Sequence, residues 1–370
     1  MAKQTKSIVG GMTVLGMTGI ICKLVGVLFS IPLTWLIGTD GLGIFQSVFP
    51  TYNLLLTVSS AGLPVAISRM VSHCLAKDDP RNARRVFRVA LWLLASLGCI
   101  CTLVMLVGSH QLTILVDEPQ AQLGFQVIAP CVALVCVLSA FRGFMQGQQN
   151  MVPTAISQLI EQVGKVFVSL PLAYMGSRIS MAHGAAGALL GITIVEALAL
   201  FYMIILYFRR SATFSSIPQL SDDAPIATTT LGKRLMAISI PITISACIVP
   251  LAQFVDSTML ISRLMDAGIA REEARPLYGL FTGMVIRLIN VPTALALSIS
   301  MSLVPAISAA KALEDYDDEL AMKEWKAIYK YQVFDSMRDK VDNLKRRIID
   351  VNYEDAIALT QELLDLIEEQ

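Results

Sequence analysis

The sequence predicts an all-α polytopic membrane helix bundle of about eight transmembrane helices, followed by a soluble helical tail. Of 370 residues, 55% are hydrophobic and 16% charged, against about 25% charged in an ordinary soluble domain. The mean hydropathy is +0.63, and the apolar residues gather in runs of about 20, the length that crosses about 30 Å of hydrocarbon. Charge is divided along the chain. Residues 1–313 hold 21 Lys+Arg against 13 Asp+Glu, and residues 314–370 hold 8 against 16, so a net charge of zero joins a basic membrane part to an acidic tail. A soluble enzyme and a disordered chain are both excluded.

Eight apolar runs mark the spans: 8–36, 43–72, 88–108, 121–146, 154–177, 184–208, 235–262 and 279–308. The first follows Lys3 and Lys6 as a signal peptide would. It is too long for such a core and carries Lys23 at mid-depth, so a retained helix is expected. The N-terminus, the 74–88 loop, Arg142, the 209–234 loop and Lys311 place 13 Lys+Arg on one side, and Arg178, Arg263, Arg271 and Arg275 lie on the other. The positive-inside rule then puts both termini of a multi-pass membrane protein in the cytoplasm. The stretch KDDPRNARRVFR at 77–88 reads as a basic cytoplasmic turn or short helix against anionic headgroups.

Pro32, Pro50, Pro64, Pro130, Pro171, Pro241, Pro250, Pro292 and Pro305 fall in or near the spans, where each removes a backbone donor. Many bent helices suit a transporter with a cavity. The second and eighth spans end alike, AGLPVAIS at 61–68 and MSLVPAIS at 301–308, an internal echo in which a second unit begins at span seven. Four segments follow: a six-helix lobe at 1–210, a cytoplasmic linker at 211–234, two helices of a second, truncated lobe at 235–312, and the acidic tail at 313–370. The seven cysteines lack CxxC spacing and read as structural thiols. No metal site or cofactor is expected, nor a nucleic-acid partner. The three histidines are scattered and no catalytic constellation is visible, so the chain is not expected to be an enzyme.

Ionisable residues inside a bilayer cost about 2.5–3.5 kcal/mol each and so need partners or a wet cavity. Lys23 lies in span one, Glu161 and Lys165 in span five, Glu196 in span six, Asp256 in span seven and Arg287 in span eight, with Arg69 and Arg142 near the cytoplasmic ends of spans two and four. Glu161 and Lys165, four residues apart, can neutralise each other on one helix face. Glu196 can pair with Lys23 or bind a coupling cation, and Asp256 is a second coupling candidate. Lys23, Arg69, Arg142, Lys165 and Arg287 would together line a cavity with positive charge. Such a cavity fits a lipid-linked diphosphate, whose oxygens take charge-assisted hydrogen bonds while its tail stays in the bilayer. Gln46, Asn53, Gln126, Gln158, Gln162 and Gln253 are candidate sugar contacts.

The stretches KLVGVLFSIPLTWLIGTDGLGIFQSVFPTYNLLLTVSSAGLPVAISRMVS at 23–72, FRGFMQGQQNMVPTAISQLIEQVGKVF at 141–167 and LYGLFTGMVIRLINVPTALALSISMSLVPAIS at 277–308 resemble the stage V sporulation protein B branch of the multidrug/oligosaccharidyl-lipid/polysaccharide exporter superfamily. The resemblance implies a MATE-like flippase whose two six-helix lobes form a V and rock to expose a central cavity to each side. It also implies an undecaprenyl-diphosphate-linked saccharide as cargo, for peptidoglycan or other envelope polymers, with Lys23 and Arg69 at positions that match a basic cavity lining. No GxxxxGK[ST] motif points to direct ATP drive, which leaves an ion gradient or membrane potential. The family pattern continues for about six further spans where this chain turns acidic, so the chain reads as truncated after the eighth span. Either a second chain completes the lobe or transport is lost.

In the tail, Met337, Val341, Leu344 and Ile348 form an amphipathic stripe, and Asn352 is placed to cap a second helix. A helical hairpin that binds a second chain or a cytosolic partner is one reading, and an appended segment without a partner is the other. Two rivals to the flippase stand beside it: a MATE-like exporter of organic cations using Glu196 or Asp256, and a non-transporting membrane scaffold working through its tail.

Overall fold

The computed structural model describes residues 2–77, 79–215 and 227–286; for several positions of the first helix, Lys23 among them, only the backbone is described. The tail, Arg287 and most of the eighth span lie outside the described residues, as do Pro292, Pro305 and the second half of the sequence echo. The described part is helical with no strand, one compact unit to which the chain as far as Ile289 belongs. It is an all-α polytopic membrane helix bundle.

Helix α1 runs over Ala2–Ser60 and holds the first span and most of the second. The two are divided at one residue, Gly38, with φ 68° and ψ 178°. That left-handed conformation costs a glycine little, and it turns the chain where a longer loop is expected from the 36–43 gap. The second span continues after a break at Ala61–Gly62 into α2, Leu63–Ala76. Prolines do two jobs. Pro64, Pro80 and Pro153 sit in the first turns of α2, of α3 (Pro80–Val107) and of α6 (Val152–Gly164), where a missing N–H is harmless. Pro32, Pro50, Pro130, Pro241 and Pro250 lie inside helices, as a bent bundle requires.

The basic stretch 77–88 is not a separate element. Asp79 caps α3, accepting from the Asn82 N–H at 2.9 Å and from Asn82 Nδ2 at 2.6 Å, so Arg81, Arg84, Arg85 and Arg88 ride on the first turns of the third span itself. A short helix α4 (Ser109–Leu115) and a 3-10 turn (Pro119–Ala121) lead into α5, Gln122–Gly147. The fifth span is α6, a π-helical turn at Lys165–Ser169 and α7 at Leu170–Ser177. The sixth is α8, Met181–Ser215. Helices α9 (Thr228–Asp266) and α10 (Arg271–Leu280) follow, and a second π turn at Phe281–Val285 opens the eighth span.

Helix α5 is the hub, packed on α1, α2, α3 and α8. Its buried residues Phe125, Ile128, Val132, Cys136 and Leu138 join Leu33, Phe45, Ile67, Leu94 and Leu189 in one apolar core. Small residues allow close approach where lipid supplies no hydrophobic drive between helices. A Cβ on Gly191 of α8 would lie 2.3 Å from the Ser169 Cα, and one on Gly187 would lie 2.3 Å from the Leu172 carbonyl oxygen. Four candidate spans besides the 28–76 stretch are each long and apolar enough to cross a membrane: 80–107, 119–147, 181–209 and 228–266.

Candidate functional site

The buried charges collect where α5, α6 and α8 meet the first half of α1. Arg142 of α5 donates through Nε to Ser157 Oγ at 2.9 Å and through Nη2 to Glu161, with side chains only 14% and 10% exposed for the ion pair. Ser157 in turn donates to the Thr154 carbonyl at 2.8 Å. The expected Glu161 to Lys165 pairing along one helix is therefore replaced by a pairing across two helices. The reason is geometric. A planar guanidinium meets Ser157 and Glu161, one helical turn apart on the facing helix, with two separate N–H groups, which a single ammonium matches less well.

The exchange has two consequences. Lys165, half-buried at the first position of the π turn, forms no ion pair with any described carboxylate. Glu196 of α8, 5% exposed, lies within electrostatic reach of both Glu161 and Lys165, and its Oε2 is buried without a hydrogen-bond partner. The site also borders α1: Cys22 Sγ reaches the Gln158 carbonyl at 3.8 Å. Lys23 is the next residue along α1, although its side chain lies outside the described residues. Two further buried atoms in this region, Gln158 Oε1 and Ser169 Oγ, have no partner. π turns leave backbone groups loosely paired and recur at functional sites.

The structure does not bring every candidate here. Arg69 of α2 and Asp256 of α9 are exposed, and Arg287 lies outside the described residues. Among the candidate sugar contacts, Gln126 is exposed. Asn53 donates to Gln253 at 3.4 Å, linking α1 to α9. Gln46 is buried with its Nε2 unpartnered, beside Gly283 of the second π turn.

Sequence reasoning missed a second cluster. Asp117 and Glu118, between α4 and the 3-10 turn, pair with Arg271 and Arg275 of α10. In the sequence Arg271 and Arg275 enter only as loop charges, and Asp117 and Glu118 carry no signal of their own. Nothing in their spacing, more than 150 residues, joins them.

The family described as polysaccharide biosynthesis protein matches residues 8–311. Stage V sporulation protein B of Bacillus subtilis (strain 168) is 30% identical over 310 residues, which are 83% of this chain and 59% of that protein. Lipid II flippase MurJ of the same organism is 21% identical over 333 residues, 85% of this chain and 60% of the relative. The chain thus spans about 60% of the length of these relatives. Among solved structures, the inward-facing conformation of a multidrug resistance MATE family transporter of the MOP superfamily superposes with a TM-score of 0.63 at 16% identity, over 93% of this chain and 76% of that one. A MOP superfamily transporter from Pyrococcus furiosus, described as having a binding pocket of reverse polarity, gives 0.57 at 16% identity, over 95% and 78%. Fold and sequence agree: the chain belongs to the polysaccharide biosynthesis protein family, on the helical architecture of MOP superfamily transporters.

Proposed function

We propose that this chain is a transporter of lipid-diphosphate-linked saccharides, of the undecaprenyl-diphosphate type, for synthesis of cell-wall peptidoglycan or other envelope polysaccharide. One observation carries the reading: Arg142 takes Glu161, and so leaves Lys165 as a half-buried cation inside an apolar bundle, in no ion pair with a described carboxylate. A cation in that setting is tolerated when an anion visits it. A diphosphate supplies that anion with its own lipid anchor, and the orphaned Gln158 Oε1 of α6 offers an acceptor for a sugar hydroxyl. Lys23, next to Cys22 on α1, is the second cation of the proposal; Arg69 and Arg287 are proposed to guide the headgroup on its way, and Arg142 to keep Glu161 away from Lys165. Membrane lipids and a second chain, or a partner for the tail, belong to the same proposal, as do two cytoplasmic termini. The family relationship supports it through one relative that is described as a lipid II flippase.

Energy enters at the acid pair. Two carboxylates that face each other in a dry site are stable together only with a proton or a cation between them. Glu196 and Glu161 have that arrangement, so Glu196 is the first coupling candidate and the exposed Asp256 the second. The same pair favours a rival reading, export of organic cations. Under it, Glu196→Gln abolishes drug resistance conferred by the chain while Lys165→Ala leaves it intact.

The test is translocation of a fluorescent undecaprenyl-diphosphate saccharide by the full chain in proteoliposomes, read by quenching from outside. Lys165→Ala and Lys23→Ala are expected to lower the initial rate at least tenfold with protein incorporation unchanged. Wild-type rates in both variants would remove the cationic site from the mechanism.

A further inference from the structure

Where α10 meets α1, the contact is made of charge and bare backbone. The loop from Val116 to Pro119 is shaped to present two acids. Asp117 takes a left-handed φ of 50°, a conformation Asp tolerates better than most residues. The Glu118 N–H donates to the Thr113 carbonyl at 3.0 Å. Glu118 then accepts twice from one guanidinium, Arg275 Nε to Oε2 at 2.6 Å and Nη2 to Oε1 at 3.0 Å, with the acid 1% and the base 13% exposed. Arg271 pairs with Asp117 alongside, both side chains about a third exposed. Beneath the pairs the helices touch through glycine: a Cβ on Gly279 would lie 2.5 Å from the Gly43 nitrogen. The Tyr278 hydroxyl donates to the Gln46 carbonyl at 3.0 Å.

The apolar side of α10 goes elsewhere. Ala274 and Tyr278 cluster with Ile261 of α9, and partly buried Leu260, Leu264 and Ile269 pack on them, as a group distinct from the main core. Helix α10 is therefore held to its own neighbour α9 by hydrophobic packing, and to the 116–119 loop and α1 by ion pairs and backbone contact. A buried ion pair contributes little net stability, because its charges recover their hydration when it parts, and its best-attested use is as a register or switch device. Once α10 parts from the loop, both charges can be hydrated again. Parted apolar side chains would gain nothing comparable.

We propose that Glu118–Arg275 and Asp117–Arg271 form a charge latch that closes one end of the bundle and must release for a path to open there. The orientation proposed above makes that end the outer one. The transporter reading supplies only what passes; closure itself is read without any cargo.

Leu42 lies under the latch, fully buried, with a Gly283 Cβ position 3.0 Å from its Cδ2. The full chain carrying Leu42→Cys is placed in proteoliposomes of mixed orientation and exposed to an impermeant maleimide, with modification at position 42 followed by site-resolved mass spectrometry. Slow labelling is expected with the latch intact. Glu118→Gln keeps an acceptor for the Gln120 N–H, bonded at 3.2 Å, while removing the charge, and is expected to speed labelling at least fivefold, as is Arg275→Gln. The exchanged pair Glu118→Arg with Arg275→Glu returns the rate to within about twofold of the starting protein. A merely structural role would not produce that recovery. Asp117→Asn and Arg271→Gln, at the more exposed pair, leave the packing untouched and give about twofold, which decides the matter if the inner variants fail to accumulate. Unchanged labelling in all neutralised variants overturns the latch, and with lipid translocation intact it overturns the latch alone.

Discussion

The bundle α1–α8 and helix α10 are held by different physics. In the bundle, one apolar core runs through α5 to its neighbours, glycines let α8 meet the fifth span at backbone distance, and even the Arg142–Glu161 pair is sealed inside. Helix α9 adds Leu231 and Leu235 to that core, besides its glutamine–asparagine contact and the Gly62 N–H bonded to Thr243 Oγ1 at 3.1 Å. Helix α10 meets α1 and the 116–119 loop through two ion pairs, the Tyr278–Gln46 hydrogen bond and a glycine contact. The ion pairs and the hydrogen bond of α10 are contacts that water can replace.

The sharpest way to break this contrast is to remove one acid from each kind of pair and compare the costs. Glu161→Ala strands the Arg142 guanidinium inside the bundle and is expected to cost about 3–5 kcal/mol, seen as a large fall in melting temperature in detergent. Glu118→Ala removes an acid that is at least as buried, yet is expected to cost about 1 kcal/mol or less, because α10 lets go and Arg275 reaches water. Equal losses would mean that α10 is fixed to the bundle as firmly as α5 is. At the bottom of the scale, Arg263→Ala breaks an exposed pair with Asp266 at 3.3 Å and should move stability by less than about 0.5 kcal/mol.

Much of this was legible in the sequence because hydrophobic runs are local. Spans three, four, six and seven become α3, α5, α8 and α9 with ends shifted by one to eight residues, since each run is bounded by charge or proline. The Gly38 kink was less legible, since a single left-handed glycine replaces a connecting loop without changing the apolar pattern. The π turn at Lys165 leaves no signature in composition at all.

The candidate site divides the same way. That Glu161, Lys165 and Glu196 lie inside spans could be read from their runs, whereas Arg142 reads there as a charge at a cytoplasmic span end and its burial shows only in the structure. Which of them pair could not be read: the i, i+4 rule selects Lys165, and only the packing of α5 on α6 offers Arg142, 19 residues away, as the better partner. The latch acids lie in a polar loop 157 residues from Arg275, beyond any local rule.

The central claim is that Lys165 is the cation left free to receive a diphosphate. The most direct measurement is binding of undecaprenyl diphosphate to the full purified chain by native mass spectrometry, comparing wild type with Lys165→Gln and with Arg142→Gln. A loss of about tenfold or more in Lys165→Gln is the predicted result. Undiminished binding in Lys165→Gln, with loss only in Arg142→Gln, would contradict the account, because the guanidinium assigned to Glu161 would then be the one that holds the lipid.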